Sequence, residues 1–247
     1  MSRVDDYRRA LSRTRDFDAY LCAHSGLPGP RGNLELAAAA AAEGDRRRFD
    51  RYASLTPEQA PENTPEAFLV VCGVLGYGRL LAAGDLSLLP RLRHLANDPR
   101  WRVRESVAMA LQSWGDADAP ALLREMGSWI RGSLLEQRAA VAAVCEPRLL
   151  SGPRTLAAEF RLLDQATRQL HRQTDRRSEP FRVLRQALGY AWSVALAADF
   201  ERGQERFERW AALEDADLRW IVRQNLSKNR LRRIDPVWTR RMLAAAK

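Results

Sequence analysis

Two stretches, Asp98-Pro99-Arg100-Trp101-Arg102-Val103-Arg104 and Asp217-Leu218-Arg219-Trp220-Ile221-Val222-Arg223, carry Asp, Arg, Trp, Val and Arg in the same register 119 residues apart. Chance seldom aligns so many positions, so the chain is expected to be built from a recurring unit, about three units of roughly 40 residues separating the two copies. After the first copy, Val103, Val107, Ala110, Leu111 and Trp114 fall at i, i+4, i+7, i+8 and i+11, one apolar stripe on a helix expected over 99–114. Asp98 is its expected N-cap and Pro99 its first helical residue. Working outward, almost every segment reads at helical period and no stretch alternates apolar and polar residues long enough for a strand, so the class is all-α. A shorter helix precedes over 86–96. The pairs 117–130 with 133–145, 154–173 with 179–198 and 203–213 with 217–230 follow, with a closing helix after Asp235 and Pro236. Upstream, 45–54 pairs with 64–83 across a longer connection, 55–63, which carries Pro57 and Pro61 and is read as a spacer in preference to a functional loop. Weaker copies of the unit centre on Arg138 and Arg185, giving arginine spacings of 34, 47 and 38 from Arg104 to Arg223.

On these residues the chain resembles the HEAT repeat family, in which a proline sits in the first helix, an aspartate opens the second and an arginine follows six residues later. Pro90, Asp98 and Arg104 match all three positions; Asp217 and Arg223 match two; Gly132 and Glu179 stand where the Arg138 and Arg185 units would have the aspartate. The resemblance implies a right-handed α-solenoid of about five HEAT-like helix pairs over 44–247, with an N-terminal helical cap over 1–43 and capping helices at the termini. Six helical residues subtend about 600°, so Asp98 and Arg104 do not face each other as an i, i+4 pair would. The resemblance then implies a ladder in which the arginine of one repeat meets the aspartate of the next, with Arg104 and Arg223 as ladder residues and Trp101 and Trp220 as packing residues. HEAT motifs specify architecture and leave activity open.

With 46% hydrophobic, 29% charged and 8% aromatic residues, the composition excludes disordered, collagenous and disulfide-scaffold classes. Cys22, Cys72 and Cys145 stand far apart and suit a reducing compartment, and the early charges Arg3, Asp5, Asp6, Arg8 and Arg9 argue against export. The uncharged runs 67–78 and 186–198 are shorter than the roughly 20 residues of a membrane span. The expectation is a cytoplasmic, monomeric protein without membrane contact. The formal charge of +9 is unevenly placed: residues 1–120 hold 16 arginines against 16 acids, and 121–247 hold 22 arginines and two lysines against 15 acids. Preference for arginine over lysine fits coding bias in a GC-rich bacterium. That bias does not explain the asymmetry, which is what an acidic partner would need.

Chemistry is sparse. His24, His94 and His171 are isolated from one another and from the cysteines, so neither metal nor cofactor is expected. Gly73, Gly76 and Gly78 follow a helical run and read as small residues at a close helix contact, then a C-cap, and not as a dinucleotide loop. No nucleophile elbow or phosphate-binding loop with lysine is present. The Arg-rich half and seven tryptophans loosely resemble bacterial HEAT-like glycosylases of DNA alkylation repair, but the Trp-Asp pair followed by a second acid is missing, so no catalytic residue carries over. The sharper signal is a basic stripe in 154–173: Leu156, Phe160, Leu163 and Leu170 fall on one face, and Arg161, Gln165, Arg168 and Arg172 recur on another. Arg176, Arg177 and Arg182 extend it, and Lys228, Arg230, Arg232 and Arg233 cluster near the end. The bland alternatives are a solvated face paired to Glu159 or Asp164, and cations favoured by a helix C-terminus. The favoured function is non-catalytic engagement of a nucleic-acid backbone through these residues. A protein-interaction scaffold for an acidic protein surface and a HEAT-like DNA glycosylase are the alternatives.

Overall fold

The computed structural model describes residues 2–150 and 152–246, and these form fourteen α-helices with no strand among the described residues. The chain divides into two compact units, Met1–Ala117 and Asp118–Lys247.

The first unit holds α1 (Arg3–Arg13), α2 (Phe17–Ala23), α3 (Leu34–Glu43), α4 (Arg46–Ala53), α5 (Pro65–Ala82), α6 (Leu89–Leu95) and the opening turns of α7 (Trp101–Trp129). Ser2, Asp16, Asn33, Asp45 and Thr64 each cap their helix by accepting a backbone N–H with the side chain. The alanine run of α3 offers small side chains between α1 and α5, both of which pack on it. Taken with its polar ends, α5 is long and apolar enough to cross a membrane by length and composition, beyond the uncharged run read from sequence. Two thirds of it is buried inside the unit, where α2, α3 and α4 cover it.

The α5 glycines work as close-contact residues. A Cβ on Gly76 would stand 2.3 Å from the Phe49 ring, and one on Gly78 would stand 2.6 Å from the Ala110 backbone. None of the three is a C-cap: α5 runs on to Ala82, and the glycine with positive φ after it is Gly84. The 55–63 connection is clamped in place. Arg100, 4% exposed, donates to the carbonyls of Leu55, Thr56 and Ala60 and to both oxygens of Asp98. Arg102 reaches Glu62 and the Gly29 carbonyl, both at 2.7 Å.

The structure departs from the sequence reading at several points here. Helix α7 begins at Trp101, so Asp98 and Pro99 precede it, with the Asp98 carboxylate accepting the Arg100 N–H. Arg104, 5% exposed, folds back and donates to the carbonyls of Asp98 and Pro99 at 2.7 and 2.8 Å, tying the turn before α7 to the helix's first turn. Trp101 is 47% exposed, with the Arg102 guanidinium 4.3 Å from its ring centroid, and is not a core residue. The break expected near residue 115 falls instead at Asp118 (φ −148°, ψ 80°), whose carboxylate caps the next turn through the Ala121 N–H. Pro120 sits in that first turn, where its missing N–H costs nothing. Gly115 stays helical.

The second unit continues from the Asp118 break with the rest of α7, then α8 (Leu134–Val144), α9 (Pro153–His171), α10 (Glu179–Ala198), α11 (Phe200–Ala211), α12 (Ala216–Leu226), α13 (Asn229–Ile234) and α14 (Pro236–Ala245). Helix α10 is central and packs on α8, α9, α11, α12 and α13. Its Trp192 is fully buried between Phe160 and Phe207, and its indole N–H donates to Thr167 at 3.0 Å. Buried Asn225 ties α12 to α10 by accepting the Ser193 N–H and donating to the Leu188 carbonyl, both at 2.8 Å. The helix expected over 217–230 ends at Leu226, after which Ser227 and Lys228 turn the chain into α13.

Between helix pairs lies a carboxylate cluster. Asp217 pairs with Arg185 and Arg176, and Asp215 with Arg176 at 2.7 Å and His171 at 3.0 Å. Burial alone would raise the Asp215 carboxyl, but the Leu218 N–H, Arg176 and His171 outweigh it and hold it below the ordinary carboxylate range. Asp215, one residue before α12, is the N-cap, and Asp217 sits inside the first turn. Arg223 is exposed, with no ion pair among the described residues, and the arginines that meet Asp217 are Arg185 and Arg176. The heptapeptide copies are therefore out of phase: Arg104 lies in the first turn of its helix and Arg223 in the last turn of its own.

Candidate functional site

Helix α9 is amphipathic for the reason its sequence states. Leu156, Phe160, Leu163 and Leu170 are buried, while Arg161, Arg168 and Arg172 are exposed on the opposite side. Arg154 lies seven residues before Arg161, two turns up the same row, and is exposed as well. From Arg154 to Arg172 the row runs for about 27 Å at 1.5 Å per residue.

At its N-terminal half this row forms one wall of a cleft of about 600 Å³, whose other wall is the part of α7 after Asp118. Arg124 and Arg131 from the α7 side face Arg154 and Arg161 from the α9 side, and Pro120, Leu123 and Leu162 supply apolar floor. No carboxylate is among the described residues lining it. Arg131 donates to the Gly127 carbonyl at 2.5 Å, which caps the end of α7 and uses one edge of its guanidinium. Arg124, Arg154, Arg161, Arg168 and Arg172 have no ion pair among the described residues. The acids nearby in sequence are committed elsewhere: Asp164 to Arg206 and the Trp210 indole, Glu125 to the Trp129 indole at 2.9 Å, and Glu159 to the interior. The stripe is thus not the salt-bridged face that Glu159 and Asp164 would have made.

The remaining sequence candidates divide. Arg176 leaves the row, because its guanidinium is taken by Asp215, Asp217 and the His171 carbonyl. Arg177 is exposed, and its carbonyl accepts from Arg182, which is folded back along the start of α10. Lys228 and Arg230 gather at the exposed Tyr190 ring, 5.9 and 4.6 Å from its centroid. Arg232 donates to the Ser227 carbonyl at 3.2 Å, and Arg233 is exposed. Sequence reading missed Arg124, Arg131, Arg154 and Tyr190. Arg154 was reachable from the seven-residue spacing; the others needed the packing of α7 on α9 and of α13 near α10.

Chemically, the cleft offers planar guanidinium forks without a competing carboxylate, an arrangement that recognises phosphate oxygens by paired, charge-assisted N–H donors. Among the described residues no group of three or more His, Cys, Asp or Glu could hold a metal ion. The chain matches no family model, no curated protein and no solved structure.

Proposed function

We propose that the protein binds a nucleic-acid backbone without catalysis, and that the cleft between α7 and α9, with the arginine row running out of it, is where the phosphates lie. The observation that carries this is the cleft itself: four arginines converge on one groove whose described lining contains no acid. Self-repulsion among unneutralised cations is a cost to the folded state, and an anionic partner relieves it. The contacts go to backbone phosphates, so base sequence has little influence on affinity. As the scaffold for this site we propose a HEAT-like stacking of helix pairs in the second unit. The Arg185–Asp217 pair, which joins the arginine of one pair to the aspartate of the next, supports it.

The test is duplex DNA binding at low salt by Arg124→Gln with Arg161→Gln, beside Arg15→Gln with Arg47→Gln, two exposed arginines of the first unit, as a charge-matched control. The cleft pair is expected to weaken binding roughly tenfold or more and the control to leave it near wild type. Equal effects from both would refute the cleft as the locus.

One observation favours a second reading, a protein-interaction scaffold. The first unit has an apolar cleft of about 240 Å³ lined by Leu27, Phe68, Val71 and Met109, with half-exposed Trp101 at its edge. Exposed tryptophan beside an apolar recess is a common anchor arrangement of protein interfaces.

A further inference from the structure

Tyr190 stands near the middle of α10, 44% exposed, although the neighbouring positions of that helix, Gly189 and Ala191, are buried. Its hydroxyl accepts a hydrogen bond from Arg230 at 2.8 Å, and the Arg230 guanidinium lies 4.6 Å from the ring centroid. Lys228 Nζ lies 5.9 Å from the same centroid. Neither cation meets a carboxylate among the described residues. The turn at Ser227 and Lys228, where α12 gives way to α13, is what places both cations over α10.

The arrangement is more than a surface cation–π contact. The hydrogen bond that the hydroxyl accepts from Arg230 holds the ring in a fixed orientation while a large part of it remains open to water. Two cations lie over part of that ring, where the phosphate of a nucleotide stacked beside them would meet them. A flat aromatic surface bordered by positive charge is what an unpaired base with its phosphate requires, because every base has a π-face and every nucleotide carries one negative charge. A duplex keeps its bases stacked on each other and cannot use such a platform.

Resting on the nucleic-acid reading above, we propose that Tyr190, Lys228 and Arg230 form a stacking platform for an unpaired base, so that the second unit prefers single-stranded nucleic acid to duplex. The backbone of the strand is held by the arginines and one base stacks on Tyr190. The ligand class is a single strand, without base-sequence readout.

The test compares Tyr190→Ala and Tyr190→Phe with wild type by fluorescence anisotropy, using a labelled single strand of about 12 nucleotides, an abasic strand of the same length and a matching duplex. Tyr190→Ala is expected to weaken binding of the single strand by roughly 5- to 150-fold and to leave the abasic strand and the duplex within about twofold. Tyr190→Phe, which loses the Arg230 hydrogen bond but keeps the ring, is expected to retain most of the affinity. Thermal melts of both variants check that the exposed substitution leaves the fold intact. If wild type binds the strand and Tyr190→Ala binds it equally well, the platform is wrong while the arginine cleft stands. An equal loss on the abasic strand also overturns the platform, because no base is there to stack. If wild type binds none of the three ligands, the nucleic-acid reading fails, and the platform with it.

Discussion

Arg100→Ala is expected to lower the stability of the protein by about 3 to 5 kcal/mol, the range for removing one partner of a buried, hydrogen-bonded charge pair. Arg100 is buried, and its guanidinium satisfies three carbonyls of the 55–63 connection together with both oxygens of Asp98, a side chain itself only 8% exposed. Alanine would strand all of these acceptors at once, and water cannot replace the donors without opening the loop. Arg100→Lys restores the charge but not the fork, so it is expected to recover only part of the loss. Thermal or urea unfolding measures the effect, and limited proteolysis between Leu55 and Asn63 reports the freed loop. An alanine variant that unfolds like wild type would show that the connection is held by something other than Arg100.

The second large effect lies in the core of the second unit. Glu159 is fully buried on the side of α9 away from the arginine row, and neither carboxyl oxygen has a hydrogen-bond partner among the described residues. Burial pushes its carboxyl up to about 8, and the neighbouring Cys145 thiol offsets this only in part. The folded state therefore holds a proton on Glu159 that the unfolded chain releases above its ordinary value of 4.5. Because the folded state binds more protons between those two values, stability falls as pH rises. The slope is about 1.4 kcal/mol per pH unit, a total of about 3 to 5 kcal/mol, and it flattens above the folded value. Glu159→Gln removes this slope. The variant's own buried amide costs about 1 to 3 kcal/mol at every pH, so the slopes and not the levels are to be compared. Urea unfolding of both proteins at pH 5 and pH 8 is the measurement. Wild type should lose markedly more stability than Glu159→Gln over that interval, and parallel profiles would mean the carboxyl is ionised or solvated.

Helical class, the α9 and α10 boundaries and the outward face of Arg161, Arg168 and Arg172 were legible because each follows from local periodicity, which burial on one side of a helix imposes directly. Pairing was not legible. The Asp98 and Asp217 heptapeptides share five residues, yet the first begins three residues before its helix and the second begins inside its own, so Arg104 is buried against its own backbone while Arg223 reaches solvent. Sequence identity fixed residue types, and the helix start fixed their phase. In sequence, Glu159 stands with Asp164 as a salt-bridge partner of the arginine stripe; its position on the helix turns it inward instead. Arg176 looked like a continuation of the stripe, and only the folding of α12 against its connection brings Asp215 and Asp217 to it. The cleft arginines of α7 were out of reach for the same reason, since nothing within α7 says which helix will face it.

The central claim, that the arginine row meets phosphates, is tested most directly by the salt dependence of duplex DNA binding. If Arg124, Arg131, Arg154, Arg161, Arg168 and Arg172 neutralise about four to six phosphates, log affinity should fall against log salt with a slope of roughly −3.6 to −5.4, at −0.9 per phosphate. Changing Arg154, Arg161 and Arg168 to glutamine should make that slope shallower by up to about 2.7 units. No measurable DNA affinity at low salt, or a slope unchanged by those three substitutions in a protein that still folds, would contradict the account.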